Sequence, residues 1–124
     1  YEEAAGYYRR ILRVFSKRDD IRAALCHCLS SLGNQAHAAG KYVQAEACFQ
    51  EAITFSPQDP IFHYNLANAL RELGKPAEAA KHYEKSIQLD PNDADAYNNL
   101  GNVQRELGQL DLAIANYKKA LTLN

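Results

Sequence analysis

The same residue types return along this chain with a period of 34 residues. The stretch "NLANALRELGK" at 65–75 is followed by "NLGNVQRELGQ" at 99–109, which starts 34 positions later. The glycine, alanine and aromatic positions with this spacing are Gly40, Gly74 and Gly108; Ala45, Ala79 and Ala113; and Phe49, Tyr83 and Tyr117. A fixed period of this length is typical of stacked supersecondary units rather than of one globular core.

Each repeat predicts two helices. In the second repeat, Gly74 is expected to stop the first helix, and Pro76 suits the first turn of the next. In the third repeat, a second apolar stripe follows Gly108 at helical spacing, and its members are Leu110, Ala113, Ile114, Tyr117 and Leu121. Because only about three residues connect the two helices, each pair is predicted to be antiparallel.

The leucine, glycine, alanine, aromatic and proline positions at this spacing resemble the tetratricopeptide repeat family. The resemblance implies an all-α fold: a right-handed superhelix of stacked antiparallel helix pairs, or α-solenoid. We expect a single domain over 1–124, made of a partial upstream repeat helix (1–18), repeat one with an extended first helix (19–59), repeat two (60–93) and a truncated repeat three (94–124). His63 and Gln104 stand where the family has aromatic residues, and we expect Gln104 to weaken the packing slightly.

The first 25 residues do not form a whole repeat. The apolar positions that share one face of the first helix are Tyr1, Ala4, Ala5, Tyr8, Ile11, Leu12 and Phe15. We interpret this helix as the second helix of an upstream repeat. A long helix is then predicted from about 21 to 39, capped by Asp19 or Asp20. Since the chain contains no Met and opens inside a helix, we expect it to be a piece of a longer protein.

Composition excludes several classes of function. The formal net charge of −1 gives no electrostatic reason to expect nucleic acid or an anionic membrane as a partner. No apolar run approaches the ~18 residues that a membrane-spanning helix requires. The three cysteines Cys26, Cys28 and Cys48 favour reduced thiols of a cytoplasmic type. Residues 26 and 28 would point about 200° apart on a helix, so we expect no shared metal ion.

No catalytic motif stands out. The sequence lacks a Gly-rich phosphate loop, a His-Glu-x-x-His motif and a nucleophile elbow. Its four histidines, at 27, 37, 63 and 82, fall at different positions of the repeat. We therefore expect a non-catalytic chain without a metal or another cofactor.

Polar residues form an arc on the first helix of each repeat, opposite its core positions. In repeat three, the core arc holds Tyr97, Leu100, Gly101 and Gln104, and the polar arc holds Asp95, Asn98, Asn99, Asn102, Arg105 and Glu106. The binding candidates are Asn98, Asn99, Asn102 and Arg105 in repeat three, Tyr64, Asn65, Asn68 and Arg71 in repeat two, and Asn34 in repeat one. In stacked hairpins the first helices line a concave surface, so this arc is the predicted groove.

The chemistry of the polar arc suits an extended peptide. A side-chain amide offers two donors and an acceptor, so a ladder formed by Asn34, Asn68 and Asn102 could satisfy main-chain groups. Arg71 and Arg105 suit carboxylates or phosphates. In the alternative interpretation, the amides bond within and between neighbouring helices and the arginines pair with glutamates. We predict a protein–protein interaction scaffold that binds a peptide or partner segment in the concave groove.

Two further resemblances bear on the partner. The aligned asparagines resemble the ladder of the repeat domain of O-linked N-acetylglucosamine transferase, which holds peptide backbones. The carboxylate clamp, which grips acidic tails of heat-shock chaperones, is matched at Asn34 and Asn65. Its three basic positions fall on Ser30, Asp95 and Asn99, so we expect no standard clamp.

A different class of function stays open. The chain could be a structural or oligomerising segment of a larger multidomain protein, even an enzymatic, glycosyltransferase-like one. Apolar groups of the last helix, such as Leu112 and Tyr117, would then lie open at the C-terminal end and support end-to-end self-association.

Overall fold

Seven α-helices and no strand make up residues 1–14 and 18–124, which are the residues that a computed structural model describes. The helices are α1 (Glu2–Val14), α2 (Asp19–Ala38), α3 (Tyr42–Phe55), α4 (Pro60–Glu72), α5 (Pro76–Leu89), α6 (Ala94–Glu106) and α7 (Leu110–Leu123). The predicted all-α class is confirmed. Phe15, predicted on the apolar face of the first helix, lies outside the described residues. Among the described helices, none has the length and apolar character needed to cross a membrane.

The helices belong to two compact units. The first unit, Tyr1–Pro57, contains α1, α2 and α3, and the second unit, Gln58–Asn124, contains α4 to α7. In the second unit α4 packs on α5, α5 on α6, and α6 on α7. In the first unit α2 packs on both α1 and α3. The guanidinium of Arg9 also joins α1 to α3, because its Nη2 donates to Glu51 Oε1 at 2.7 Å.

A glycine with positive φ ends the first helix of each pair. Gly40, Gly74 and Gly108 have φ of 76°, 75° and 78°, in the left-handed region that residues with a Cβ enter only at a cost. After Gly74, the N–H of Lys75 donates to the carbonyl of Leu70 at 2.9 Å and closes the turn. Helix α4 ends at 72 and α5 begins at Pro76, so the stop and start predicted at these residues are confirmed.

Aspartates cap the first helices of the second unit. Asp59 accepts from the N–H of Ile61 at 2.9 Å before α4. Asp93 accepts from the N–H groups of Asp95 and Ala96, at 3.0 and 3.3 Å, before α6. These bonds satisfy backbone donors that the first turn of a helix leaves unpaired.

The predicted cap of α2 is wrong. Its N-cap residue is Arg18, which makes no side-chain capping bond, and Asp19 and Asp20 lie inside the first turn. Their negative charges are favourable there because the N-terminus of a helix carries a partial positive charge. Asp20 also accepts from Arg18 Nη2 at 2.9 Å. Helix α2 has 20 residues, whereas α4 and α6 have 13 each.

Close approach of the paired helices depends on small residues. A Cβ added at Gly33 would lie 2.6 Å from Phe49 Cε1, and one at Gly101 would lie 2.8 Å from Tyr117 Cε1. The ring of the second helix therefore lies directly on the backbone of the first helix. The largest fully buried side chains are Leu25, Leu29, Phe49, Leu66, Leu70, Tyr83 and Val103. None of the three cysteines forms a disulfide within the described residues; Cys26 and Cys28 are buried, and Cys48 is half-buried.

Candidate functional site

The two arcs predicted on α6 differ in burial. Leu100, Gly101 and Gln104 of the core arc are buried, and Tyr97 is half-buried. On the polar arc, the exposed members are Asp95, Asn98, Arg105 and Glu106, and the half-buried members are Asn99 and Asn102. The half-buried amides lie between the core and solvent, where one edge of the amide can bond to protein and the other can meet a partner.

Helix α4 carries the matching residues of repeat two. Tyr64, Asn65, Asn68 and Arg71 are all half-buried there. Asn34, the candidate from repeat one, is exposed on α2 in the first unit. We use the term amide face for the polar side chains of α4 and α6 in the second unit: Tyr64, Asn65, Asn68, Asn98, Asn99 and Asn102.

Two asparagines of the amide face are bonded to tyrosines of the following helix. The hydroxyl of Tyr117 donates to Asn102 Oδ1 at 2.6 Å. The hydroxyl of Tyr83 donates to Asn68 Oδ1 in the same way. Both pairs join residues 15 apart in sequence, one between α6 and α7 and the other between α4 and α5. In these two positions the amide therefore has a structural partner.

A third amide joins the two repeats of the second unit. Asn99 Nδ2 donates to the phenolic oxygen of Tyr64 at 2.8 Å. Burial raises the pKa of Tyr64, although hydrogen bonds from Asn68 and Asn99 partly offset this. Burial also raises the pKa of Tyr83. The rings of Tyr83 and Tyr64 meet edge to face, with their centroids 5.8 Å apart. Both phenols are therefore neutral near pH 7 and keep their O–H donors.

The two arginine candidates have different surroundings. Arg71 Nε and Nη2 donate to Glu106 Oε1 at 3.0 and 2.8 Å, and this hydrogen bonding raises the pKa of Arg71. Its charge is thus balanced by a carboxylate of the next repeat. Arg105 is exposed, and its side chain makes no ion pair or hydrogen bond with the described residues. The two side chains are not equivalent as anion-binding groups.

Gln104 makes a hydrogen bond in the interior that its place in the repeat did not predict. This residue is 4% exposed, and its Oε1 accepts from Asn116 Nδ2 of α7 at 2.6 Å. The expected weakening of the packing is thus partly offset by a hydrogen bond. A sequence signal existed, because Gln104 stands at an apolar position and Asn116 lies on the facing helix of the same pair.

A histidine pair was also missed. His63 of α4 is buried, and its Nδ1 lies 3.3 Å from Nδ1 of His82 on α5. The rings are nearly parallel, with centroids 5.6 Å apart. Burial lowers the pKa of His82, and the neighbouring His63 lowers it further. Since two protonated nitrogens cannot face each other favourably, at least one of these imidazoles is neutral.

No group of three or more histidine, cysteine, aspartate or glutamate side chains could hold a metal ion within residues 1–14 and 18–124. The histidine pair by itself supplies only two of the four ligands that a structural zinc site requires.

The last helix has apolar side chains that are open to solvent. Ile114 and Leu121 are 51% and 75% exposed, whereas their counterparts Ala80 and Ile87 on α5 are buried and half-buried. The difference arises because α6 packs on α5, and no described helix packs on α7 in that way. A pocket of about 470 Å³ lies at this end, lined by Ala94, Asp95, Asn98, Tyr117, Ala120, Leu121 and Asn124.

Comparison with known families identifies repeats over most of the chain. Residues 33–74 and 67–108 match the family described as TPR repeat, and residues 94–124 match the family described as Tetratricopeptide repeat. Comparison with the curated proteins gives no match.

Solved structures with a similar fold include domains of the same kind. The second TPR of Spaghetti (RPAP3), bound to HSP90 peptide SRMEEVD, is 26% identical with a TM-score of 0.78; the alignment covers 80% of this chain and 92% of that one. The TPR domain of Sgt2 from Aspergillus fumigatus is 28% identical with a TM-score of 0.76, over 79% of this chain and 65% of that one. MamA, 22% identical with a TM-score of 0.77 over 97% of this chain and 66% of its own, shows the likeness of fold alone. With its 34-residue period, its helix pairs and these matches, the chain belongs to the tetratricopeptide repeat family.

Proposed function

We propose that this chain is a non-catalytic protein-interaction scaffold that holds an extended peptide on its amide face. The observation that carries the proposal is the row of half-buried and exposed amides on α4 and α6, which retain unused hydrogen-bonding groups. A similar domain, the second TPR of Spaghetti (RPAP3), has an HSP90 peptide bound to it, which supports a peptide as the class of partner.

The unused groups of the amide face complement a peptide backbone. Asn102 keeps both Nδ2 hydrogens and Asn99 keeps its Oδ1, since no described residue bonds to them. The side-chain amides of Asn65 and Asn98 have no hydrogen-bond partner among the described residues. An extended peptide exposes one N–H donor and one C=O acceptor per residue, apart from proline. Amides placed along the first helices of two successive repeats can satisfy these groups without reading the peptide's side chains closely.

The charges near the amide face do not favour a strongly acidic peptide. Glu106 balances Arg71, and the exposed Asp95 adds a negative charge at the start of α6. Asp95 and Asn99 also occupy two of the positions where a carboxylate clamp would be basic. We therefore propose a neutral or mixed-charge segment, with Arg105 available to one carboxylate.

The direct test compares the wild-type chain with the variant that carries both Asn68→Ala and Asn102→Ala. Each protein is used in a pull-down and in selection from a phage library of random peptides about 12 residues long. We expect the double variant to lose most captured partners while its circular dichroism stays helical. Asn92→Ala removes an exposed amide in the loop before α6 and serves as the control. Equal capture by all three proteins would reject the amide face as the binding site.

A second candidate function is self-association through α7. The exposed Ile114 and Leu121 and the adjacent pocket favour it, because a helix packed there would bury the surface that α6 buries on α5. Light scattering over a concentration series tests this directly. Growth in mass that Leu121→Lys suppresses would support it, whereas a monomer at the highest concentration would reject it.

A further inference from the structure

The two bonds between tyrosine and asparagine define how the amides are turned. In each pair the phenol donates to Oδ1, so the oxygen edge of the amide faces the second helix of its own repeat. An amide has one oxygen and one NH₂ group on opposite edges. When Oδ1 of Asn68 or Asn102 faces the tyrosine, its Nδ2 faces away.

The available groups at both positions are therefore donors. In Asn102 neither Nδ2 hydrogen is taken by a described residue. In Asn68 hydrogen bonding to Tyr64 lowers the pKa of that phenol, and an amide nitrogen carries two N–H donors, so one is left to give. A free asparagine could rotate and offer either edge, but rotation here would break the bond from the phenol. Tyr83 is fully buried and its bond to Asn68 is part-buried, so water has little access to replace the phenol as the partner of Oδ1.

We propose that Tyr83 and Tyr117 are positioning residues that hold Asn68 and Asn102 with their N–H donors outward, so that these two amides select carbonyl oxygens of an extended partner. This inference rests on the proposed function, and it adds the polarity of the recognition. Main-chain carbonyls are the acceptors that every peptide presents at regular spacing. Both repeats would therefore donate hydrogen bonds to the backbone of the partner at these two positions.

Repeat one provides an internal comparison. The residue 15 positions after Asn34 is Phe49, which has no hydroxyl to hold the amide. Its ring packs on Gly33 much as Tyr117 packs on Gly101, so the ring position is kept and only the donor is missing. Asn34 is thus free to turn, and we expect it to contribute less to binding than Asn68 or Asn102.

The test uses Tyr83→Phe with Tyr117→Phe, which removes two hydroxyls and keeps both rings. The probe is a fluorescein-labelled peptide of about 12 residues, selected on the wild-type chain from a random phage library and measured by fluorescence anisotropy. We expect its Kd to rise about five-fold or more, because each amide then spends part of its time turned the wrong way. Ser86→Ala is the matched control, since Ser86 Oγ donates to the carbonyl of Pro60 at 2.9 Å in the same hairpin but away from the amide face.

The outcomes separate positioning from simple stability. A Kd that rises in the double phenylalanine variant and stays within about two-fold of wild type in Ser86→Ala supports the inference. An equal rise in both, or no rise in either, overturns it. If Asn68→Ala with Asn102→Ala still weakens binding of the probe, the proposed function survives that failure. If the asparagine substitutions leave the Kd of the probe unchanged, the proposed function and the inference are rejected together.

An NMR measurement tests the orientation without any ligand. The side-chain NH₂ resonances of Asn68 and Asn102 should shift and broaden in the double phenylalanine variant, because their amides gain rotational freedom. Phe49→Tyr should act in the opposite sense and sharpen the resonances of Asn34. Unchanged asparagine resonances in both variants would show that the phenols do not hold the amides, and would overturn the inference.

Discussion

Single polar residues at interior positions of this chain are stabilised by a specific neighbour. Gln104 occupies a place that an aromatic residue fills in related repeats, and among the described residues the amide of Asn116 alone satisfies its buried oxygen. Ser86 similarly donates to the carbonyl of Pro60 across the α4–α5 hairpin. Leaving a buried polar group without a partner costs more free energy than its hydrogen bond contributes when it is formed.

We therefore expect Asn116→Ala to be more harmful than its half-buried position suggests. The substitution leaves Gln104 Oε1 buried without a donor, which should lower the free energy of unfolding by about 1–3 kcal/mol. Adding Gln104→Leu should recover much of that loss, because an apolar side chain then fills the apolar position. Urea denaturation of the two single variants and the double variant measures the coupling. Additive losses would contradict a direct pair.

The glycines make a second prediction possible at the residue scale. Gly74 has φ of 75°, so Gly74→Ala should destabilise the chain by about 1–2 kcal/mol through backbone strain alone. Gly6 lies within α1, and a Cβ there would meet nothing within 4 Å. Gly6→Ala should instead stabilise α1 by roughly 0.5–1 kcal/mol. Thermal denaturation of both variants gives the comparison, and shifts of the same sign would contradict it.

At the scale of elements, each helix pair is joined by polar contacts as well as by its apolar core. The α4–α5 pair contains the facing His63 and His82 and the bond from Tyr83 to Asn68. The α6–α7 pair has the corresponding bond from Tyr117 to Asn102. It has no histidine pair, because Tyr97 and Asn116 stand at the positions of His63 and His82. We therefore expect the two helix pairs to respond differently to acid.

The histidine pair predicts acid sensitivity of the α4–α5 hairpin. Because the folded-state pKa of His82 lies below its ordinary 6.5, the unfolded chain binds the proton first as pH falls. This contribution to stability is therefore fully present above about pH 6.5 and is lost as pH falls from there toward the folded pKa. Glu78 acts against this effect, and His63 reinforces it.

Melting temperatures between pH 7.5 and pH 5 test this prediction in wild type, His82→Gln and His27→Gln. His82→Gln should lose less stability on acidification than wild type, since its side chain cannot take up the proton. His27→Gln removes an exposed histidine of α2 in the first unit and should keep the wild-type dependence of melting temperature on pH. A wild-type slope in His82→Gln would contradict the assignment.

Considered as a whole molecule, the chain combines a net charge near zero with a cation near the amide face, Arg71, that is already paired. An ion pair this exposed, with side chains 32% and 40% accessible, contributes little to stability because solvent screens it. The ion pair should matter more for the proposed binding of a peptide, because Glu106 neutralises a positive charge that would otherwise attract an acidic peptide.

This charge balance leads to a prediction about the peptide SRMEEVD, which is bound to the second TPR of Spaghetti (RPAP3). We expect the wild-type chain to bind it weakly, and Asp95→Lys to improve its affinity several-fold at low salt through simple Coulomb attraction. Asp111→Lys changes the net charge equally, on an exposed residue of α7, and should have a smaller effect. Isothermal titration calorimetry at two salt concentrations would measure both. Equal gains from the two substitutions would argue against local recognition.

Local signals in the sequence were sufficient for the fold class and for most helix ends. The 34-residue period, the glycines at 40, 74 and 108, and Pro76 predicted helix pairs with short turns, and the structure has them. These features depend on backbone conformations that a residue imposes on itself and its neighbours. Where a local signal was ambiguous, at Asp19 and Asp20, the prediction of the cap was wrong because either residue could cap or lie in the first turn.

Partners across helices could not be predicted in the same way. The period aligned Asn68 with Asn102 and Tyr83 with Tyr117, but it did not show that each phenol bonds the amide of its own repeat. Nor did it show that Glu106 binds Arg71 rather than leaving it free. Such bonds depend on the distance and rotation between packed helices, which no short stretch of sequence contains. Residue types and spacing therefore defined the repeats, whereas helix packing determined which edges of the amides are left for a partner.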